Sequence, residues 1–474
     1  MEMSLGFEEL FVGFTYLVVV ATSIFTLDDL FIDAVAFVRN LKPRVINLSV
    51  LGRMKRNSQK QIAIMIANWK EAEILGPMIR GNIRGLDYER YTFFLGVYPN
   101  DTATWEEVSR LEKLYPNKVV VVVNSLPGPT SKGQMLNEIA RQVLASEEAS
   151  KKRYDLFLMQ DSEDVLHPHS LTLMNFYSQE AHFIQIPVFS FDVPKLSLVG
   201  GVYIDEFSES HTKDLLVRQD LGAAIPSAGV GTCMSRDLVV GMMLQQEGRF
   251  LKEDTLTEDY HLGIMAKPMG FKSQFVCTQI ESADGTKEFV ATREYFPSKF
   301  MASVRQKSRW TLGIAYQGSQ NIQWSGSWVD RYFLLRDRKG PACSILVLLA
   351  TIVFVGFLGI YLSSHSVSAA FKNPILQALV LLNTAGMLIR LLQRMRAVYR
   401  VNGLAQSVMV LPRWFVANAV NVMASYRAHM TFKESIRTGT RPVWVKTDHQ
   451  IPAHFGALEV VPATAIPAVE AQSQ

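Results

Sequence analysis

The chain has few cysteines for its length, three among 474 residues. Cys233, Cys277 and Cys343 form no CxxC pair, and His167 and His169 do not stand at a zinc-site spacing from them. This argues against a disulfide framework and a structural zinc site, and is typical of a reducing compartment. An excess of charge is also missing, because the net charge is only +4. So small a charge does not indicate a nucleic-acid partner.

The N-terminus lacks lysine and arginine. Its first ten residues, MEMSLGFEEL, carry only glutamates as charged groups. A secretory signal peptide begins with positive charge, so this segment is a poor match. Because an uncharged apolar stretch follows at 10–26, we expect a retained membrane anchor.

Long apolar runs are plentiful, with 48% hydrophobic residues. Uncharged stretches at 343–363 and 374–389 follow the first one, and the former is long enough to cross a bilayer core of about 30 Å. A further stretch at 404–425 is interrupted by proline, arginine and asparagine. We expect that stretch to lie in the membrane interface rather than to span.

Basic residues predict the orientation. They cluster after the first apolar stretch and before the second. The positive-inside rule therefore places the region between these stretches in the cytoplasm. Asp28, Asp29 and Asp33 follow the first stretch, and acids inside a bilayer are functional candidates. The alternative, which we favour, is an amphipathic helix at the cytoplasmic surface.

Between the spans, short apolar runs alternate with helical patterns. Buried strands are predicted at 61–68, 91–98, 118–124, 154–161 and 181–188, with a helix at 131–148. This pattern predicts an α/β domain with a mostly parallel sheet, in which ligands bind beyond the carboxyl ends of the strands. The predicted domains are an anchor with a juxtamembrane helix, the α/β domain, membrane helices and a tail: 1–60, 61–336, 337–430 and 431–474. The last residues, VVPATAIPAVEAQSQ, have the composition of a disordered segment.

Polar and charged residues follow the predicted strands. Asn68 and Glu71 come after the first, Asp101 after the second, and Asp161, Glu163 and Asp164 after the fourth. Crowded carboxylates need a compensating cation, and Mg²⁺ or Mn²⁺ completed by substrate phosphates would supply it. Taken alone, the acidic turn is equally consistent with a solvated loop.

Three further motifs have both a functional and a simpler interpretation. Glu258 and Asp259 in TLTEDYHLG either provide a general base or begin a helix. Lys132, at the start of a predicted helix and five residues before Asn137, either balances diphosphate charge or is solvated. In QKSRW, Gln306 and Arg309 share a helix face, and Arg309 suits phosphate oxygens. Trp310 supports a sugar ring or anchors the chain at the membrane interface.

The order of these motifs resembles the family 2 glycosyltransferases with a GT-A (Rossmann-like) fold, which include cellulose, hyaluronan and chitin synthases. The pair T-E-D and Q-x-x-R-W carries the resemblance, which covers about residues 10–425. The stretches LDDLFID and YPND are similar to bacterial inner-membrane glycosyltransferases of the phage-adsorption protein B type, which make an exopolysaccharide used as a phage receptor.

The resemblance implies the chemistry and the role of each residue. A nucleotide-diphosphate sugar, a UDP-sugar in most of the family, donates its sugar with inversion to a hydroxyl. Asp259 of the Glu258–Asp259 pair is the implied base, and Asp161 and Glu163 the implied metal ligands. The implied donor-binding residues are Asn68, Glu71, Asp101, Lys132, Asp161, Gln306 and Arg309. The implied acceptor-binding residues are Trp310, Gly229 and Gly231, the glycines lying in a loop at 227–239.

The chain departs from the family pattern in three motifs, one of which is the second-strand aspartate, Asp101, which lies in P-N-D and not in a D-D pair. The usual D-x-D reads Asp161-Ser162-Glu163, and the usual N-E reads N-W-K-E, which leaves the role of Glu71 less certain. The expected acceptor is a growing polysaccharide, exported with an outer-membrane or periplasmic partner. Two alternatives stay open: one-step glycosylation of a polyprenyl phosphate lipid, and an inactive membrane scaffold.

Overall fold

A seven-stranded mixed sheet forms the centre of the α/β domain in the computed structural model, which describes residues 2–364 and 373–440. The predicted disordered segment at 460–474 lies outside the described residues. The strands are β1 Arg44–Asn47, β2 Ile62–Ala67, β3 Tyr91–Val97, β4 Val119–Val123, β5 Leu156–Gln160, β6 Val165–Leu166, β7 Phe183–Gln185, β8 Val188–Ser190, β9 Thr232–Ser235, β10 Ser273–Phe275, β11 Thr278–Glu281, β12 Lys287–Phe289 and β13 Thr292–Glu294.

The order in the large sheet is β10-β7-β9-β5-β2-β3-β4. Strands β5, β2, β3 and β4 pair in parallel, as the sequence predicts. The apolar residues of β2, β3 and β5 are almost entirely buried, whereas β4 lies at the edge of the sheet and exposes Val123. β9 runs antiparallel between β5 and β7. The stretch 227–239 is therefore a loop only in its first half, because its second half forms β9 and begins a helix. The expectation of one loop there was wrong.

The predicted strand at 181–188 divides in two. β7 stays in the large sheet, whereas β8 joins a small sheet of order β6-β13-β8. Pro187 lies between them and has no backbone N–H to continue a ladder. A second small sheet, β1-β11-β12, includes a strand from the N-terminal segment, since β1 pairs in parallel with β11.

The helices flank the sheets and form the membrane segments. They are α1 Glu2–Val38, α2 Leu48–Lys55, α3 Ala72–Gly85, α4 Thr102–Leu114, α5 Lys132–Ser150, α6 Ser170–Tyr177, α7 Leu198–Glu209, α8 Leu215–Asp220, α9 Arg236–Gln245, α10 Glu258–Ala266, α11 Phe300–Thr311, α12 Gly318–Asn321, α13 Trp328–Arg338, α14 Gly340–Ser364, α15 Pro374–Val408 and α16 Val410–Thr438. Two π-helical segments, Ser210–Asp214 and Leu312–Gln317, follow α7 and α11.

Three helices are long and apolar enough to cross a membrane among the described residues: Leu10–Val38, Gly340–Leu362 and Pro374–Val408. They contain the three stretches that the sequence predicts as spans, and the first and third extend further. The stretch at 404–425 belongs to two helices, because α15 ends at Val408 and α16 begins at Val410.

One face of α16 packs on α7 and α11 of the α/β domain. Its buried residues recur at helical spacing: Val410, Arg413, Ala417, Val420, Ala424 and Ala428. Arg413 is fully buried and pairs with Asp205 of α7 at 3.1 Å. The opposite face exposes large apolar residues such as Phe415 and Tyr426. This two-sided pattern is consistent with the predicted interfacial helix.

Ten charged residues pair where α1, α13, α14 and α15 meet the end of α7. We call this group the junction cluster: Asp28, Asp29, Asp33, Glu209, Lys213, Asp214, Arg336, Lys339, Arg390 and Arg394. Lys339 contacts Asp28 and Asp29 at 2.6 Å each. The three aspartates therefore continue α1 and pair with cations elsewhere in the chain, and their position relative to a membrane stays a prediction.

Candidate active site

Lys132 lies at the centre of the candidate site. It is the first residue of α5, whose N-cap is Ser131, with the Ser131 hydroxyl accepting from the Gln134 N–H at 3.1 Å. Its ammonium pairs with Asp161 at the end of β5. Burial opposes the charge of Lys132, but Asp161, Glu258 and Asp259 outweigh it and raise the pKa of Lys132. The lysine is thus a fixed cation facing three carboxylates.

Glu258 and Asp259 begin α10 on the other side of Lys132. Burial, and then the negative charge of Asp259, raises the pKa of Glu258 to about 7 against the charges of Lys132 and Arg309. Burial also raises the pKa of Asp259, while Lys132 and the hydrogen bond from the Tyr260 N–H oppose that rise. Carboxyls with raised pKa values near neutrality are suited to general base work.

Arg309 reaches the same site from α11, and Gln306 lies three residues before it on the same helix. Arg309 lowers the pKa of both Glu258 and Asp259, which shows that its charge is felt there. The Arg309 Nε and the Gln306 Oε1 are buried and have no hydrogen-bond partner among the described residues. Buried polar atoms usually have a partner, so these two are suited to receive a polar ligand. We call Lys132, Asp161, Glu258, Asp259 and Arg309 the cleft cluster.

Gly229 lies directly against this cluster. A Cβ there would stand 2.5 Å from the Asp259 Oδ2 and 3.6 Å from the Lys132 Nζ. Its φ of +80° also favours glycine. Gly231 is different, since a Cβ there would stand 2.9 Å from Ile186. The structure places Gly229 at the predicted site and Gly231 in the packing behind it.

Trp310 is part of an aromatic group next to the same loop. Its ring meets Tyr203, Phe207 and Phe296 edge-on, with centroids 6.1, 6.2 and 6.5 Å away. It is half-buried and packs within the cluster that includes Ala228 and Val230. Trp310 is therefore held rigidly beside Gly229, and its part in acceptor binding stays a prediction.

The acidic turn after β5 is more crowded than its sequence shows. The Asp161 N–H donates to the Asp164 Oδ2 at 2.7 Å, and the Asp164 Oδ1 is buried with no hydrogen-bond partner among the described residues. Burial and then Asp161 and Glu163 raise the pKa of Asp164 well above its usual value. Glu294, at the end of β13, shares this environment: burial, Asp164 and Glu163 raise its pKa. Sequence reasoning missed Glu294, because no motif marks it.

The acidic turn at 161–164 is a candidate site for a divalent cation. Within the described ranges, no group of three or more histidine, cysteine, aspartate or glutamate residues could hold a metal ion by itself. A site with two carboxylates that substrate phosphates complete does not need a third protein ligand. The partnerless Asp164 oxygen and the raised carboxyl pKa values are what a cation would relieve. Asp161 and Glu163 therefore fit a divalent ion that arrives with a diphosphate.

Asn68, Glu71 and Asp101 follow β2 and β3, the strands next to β5 in the sheet. The Asn68 Nδ2 donates to the carbonyl of Gly96 at 2.9 Å, and its buried Oδ1 has no hydrogen-bond partner within the described chain. The Asp101 carboxylate accepts from the Lys70 N–H at 2.6 Å and from the Thr104 N–H at 3.5 Å. Asp101 therefore joins the loops after β2 and β3. Glu71 precedes α3 and is buried.

Trp69, which the sequence reasoning passed over, lines this region. Its ring meets Tyr98 at right angles, with centroids 5.3 Å apart. A Cβ on Gly128 would stand 2.5 Å from Trp69 and 2.6 Å from Tyr98. The departure N-W-K-E thus inserts an aromatic ring among the residues predicted to bind the donor.

Residues 59–313 match the family described as glycosyltransferase like family 2. The match covers more than half of the chain. The chain belongs to this family. It is 36% identical over 461 residues to bacteriophage adsorption protein B of Escherichia coli, and equally to bacteriophage N4 adsorption protein B of a second strain. The alignments cover 91% of this chain but 61% of each relative. The chain thus spans about three fifths of their length.

A solved glycosyltransferase has the same fold. It is a mannosyltransferase from Pyrobaculum calidifontis in complex with GDP-Man and Mn²⁺, with a TM-score of 0.51 at 12% identity. The match covers 88% of this chain and 98% of that one. At that identity the likeness supports the fold, which is the GT-A fold expected of a family 2 glycosyltransferase.

Proposed function

We propose that the protein is an inverting glycosyltransferase of a bacterial inner membrane that transfers a sugar from a nucleotide diphosphate to a growing exopolysaccharide. The observation that carries the proposal is the cleft cluster. Cations from α5 and α11 meet carboxylates from β5 and α10 in one place. The family to which the chain belongs and its likeness to adsorption protein B support the reaction class and the membrane setting.

The proposed reaction follows from the charges in the cleft. Asp259 accepts the proton of an acceptor hydroxyl, whose oxygen attacks the anomeric carbon. The bond from that carbon to the diphosphate oxygen breaks, and negative charge grows on the leaving group. Lys132 and Arg309 stabilise that charge, because they are held in place before the reaction begins. A single displacement of this kind inverts the configuration at the anomeric carbon.

A divalent cation belongs to the proposal. Asp161 and Glu163 would hold Mg²⁺ or Mn²⁺, which, when bound, supplies positive charge beside the diphosphate. Asn68, Glu71, Asp101 and Gln306 would contact the donor. Trp310 and the loop at Gly229 would face the acceptor, with Gly231 packed behind that loop. The three candidate spans would place the cleft at the cytoplasmic surface, beside the membrane through which the product leaves, with an export partner on the far side.

One observation favours a second candidate function. Three candidate spans are few for a channel that the protein forms alone. A transferase that adds one sugar to a polyprenyl phosphate lipid needs no channel, and its acceptor reaches the cleft from the bilayer. The inactive scaffold is disfavoured, since the Arg309 Nε in the cleft cluster is buried and has no hydrogen-bond partner among the described residues, which a ligand would supply.

Radiolabelled donors test the proposal in membranes that contain the protein. UDP-glucose, UDP-N-acetylglucosamine, UDP-N-acetylmannosamine and GDP-mannose are compared, and we expect transfer from a UDP-N-acetylhexosamine. A long product supports the polysaccharide, whereas a single sugar on a lipid supports the second candidate. Transfer from none of a full set of nucleotide sugars would overturn both.

A further inference from the structure

The segment Phe250–Thr257, which leads into Glu258 and Asp259, has no regular secondary structure but is firmly held. Asn137 of α5 accepts from the Phe250 N–H at 3.0 Å and the Leu251 N–H at 2.9 Å. Its amide also donates to the Leu251 carbonyl at 2.9 Å. The asparagine of the K-x-x-x-x-N motif therefore binds the N-terminal end of this segment to α5, the helix that carries Lys132.

The C-terminal end of the segment, next to Glu258, is held by Gln317. The Gln317 Oε1 accepts from the Leu256 N–H at 2.9 Å and from the Thr255 hydroxyl at 3.2 Å. Gln317 is 9% exposed. Its two partners, Thr255 and Leu256, directly precede Thr257, the first residue of the T-E-D motif.

Gln317 is aimed at this segment by a π-helical turn. The segment Leu312–Gln317 directly follows α11, and its closing bond runs from the Gly318 N–H to the Gly313 carbonyl. Such turns are uncommon and often occur at functional sites. Gly313 faces the same segment, since a Cβ there would stand 2.4 Å from the Thr257 Oγ1. One continuous stretch thus carries Arg309 and also fixes the residues before Glu258.

We infer that Gln317 is a positioning residue, which sets the carboxylates of Glu258 and Asp259 relative to Arg309 by clamping the backbone at Thr255 and Leu256. The inference rests on the proposed function for its kinetic consequences. A small displacement of a base from its hydroxyl is costly, with about 10²-fold lost for about 1 Å. Because the Gln317 Oε1 is occupied by Thr255 and Leu256, we expect the residue to act on the rate of the chemical step rather than on donor binding.

The test compares Gln317→Leu, which removes the acceptor oxygen at similar size, with Gln317→Glu, which keeps an acceptor there. We expect Gln317→Leu to lower kcat at least about 10-fold while the donor KM changes less than about twofold. Gln317→Glu should keep most of the activity. Gln320→Leu is the matched control, because Gln320 is exposed on the next turn. Gly313→Ala should displace Thr257 and reproduce the kcat loss independently.

Hydrogen exchange provides a readout that needs no turnover. Loss of the Gln317 acceptor should speed exchange in the peptide that contains Leu256 in Gln317→Leu and not in Gln320→Leu. Unchanged exchange, an unchanged kcat, or a loss confined to KM would overturn the inference. If the wild type transfers no sugar but Gln317→Leu still speeds exchange at Leu256, the result counts against the proposed function and leaves the inference about Gln317 intact.

Discussion

The cleft cluster and the junction cluster both gather charged side chains away from water, but they pair those charges differently. In the junction cluster, each of five acids and five cations makes at least one ion pair. In the cleft cluster, Lys132 faces three carboxylates at once. The Arg309 Nε is also left with no hydrogen-bond partner among the described residues.

This difference separates a structural role from a chemical one. A fully paired group has no capacity left for a ligand, and it fixes helices from distant parts of the chain against one another. An incompletely paired group is costly to bury, so its persistence in a cleft points to a ligand that completes it. The comparison predicts that changes in the cleft affect the reaction, whereas changes at the junction affect stability.

Asp259→Asn should have the largest effect on the reaction. Removal of a general base typically costs about 10²–10⁴-fold in rate, and the amide keeps the size of the side chain. Donor binding should persist, because Lys132 and Arg309 remain. Transfer is measured with labelled donor, and binding by calorimetry with the nucleotide diphosphate.

Asp254→Asn is the control for this variant, since Asp254 precedes Asp259 by five residues but is exposed. Its transfer rate should equal that of the wild type. A wild-type rate in Asp259→Asn would remove Asp259 from the mechanism.

Removal of divalent metal should come next. The crowded carboxylates of Asp161, Glu163 and Asp164 need a cation beside the diphosphate, so excess EDTA should stop transfer, and added Mn²⁺ or Mg²⁺ should restore it. The measurement is transfer from labelled donor before chelation, after it and after metal is returned. Full activity in excess EDTA would show that Lys132 and Arg309 stabilise the leaving diphosphate without a metal ion.

The parts predicted from the sequence are those in which a local pattern decides the structure. Apolar runs predict β2, β3, β4 and β5, and the Ser131 N-cap marks the start of α5, because burial and capping act over a few residues. The motif order also predicts that Lys132, Asp161, Asp259 and Arg309 meet. Parallel strands bring their carboxyl ends to one edge, whatever the loops between them do.

The parts that sequence reasoning missed depend on contacts between distant residues. Asp29 and Arg390 are 361 positions apart, so nothing near Asp29 shows that it has a partner. Glu294 ends a strand of three residues and joins the acidic turn only through the pairing of β13 with β6 and β8. The antiparallel β9 was hidden because its four residues resemble a continuation of the preceding loop.

Glu209→Gln tests the other half of the comparison. Glu209 has a side chain only 5% exposed and pairs with Lys213 at 2.9 Å and Arg394 at 2.7 Å. Loss of its charge leaves both cations underpaired, and breaking a buried pair costs about 3–5 kcal/mol. We expect a lower melting temperature in detergent and an unchanged transfer rate per folded molecule.

The exposed pair of Glu434 and Arg437 provides the control for this variant. Glu434→Gln should not change the melting temperature measurably, because exposed ion pairs contribute little. A large fall in kcat in Glu209→Gln, without a change in stability, would show that the junction takes part in the reaction and that the division drawn here is wrong.

Lys132→Met should lower the rate, because the leaving diphosphate loses a cation, and the smaller and more specific change in the activity that remains is a shift in the pH dependence. The wild-type rate should fall as the pH drops through the raised pKa of Asp259, the proposed base, whose neighbour Glu258 has a pKa of about 7. Lys132 lowers the pKa of both carboxyls. Without its charge they hold a proton to higher pH, so the acid side of the profile should move to higher pH in the residual activity. Lys113→Met, at an exposed lysine, should leave the profile in place. An unshifted profile in Lys132→Met would mean that the base does not feel this cation, and that the cleft cluster does not act as one electrostatic unit.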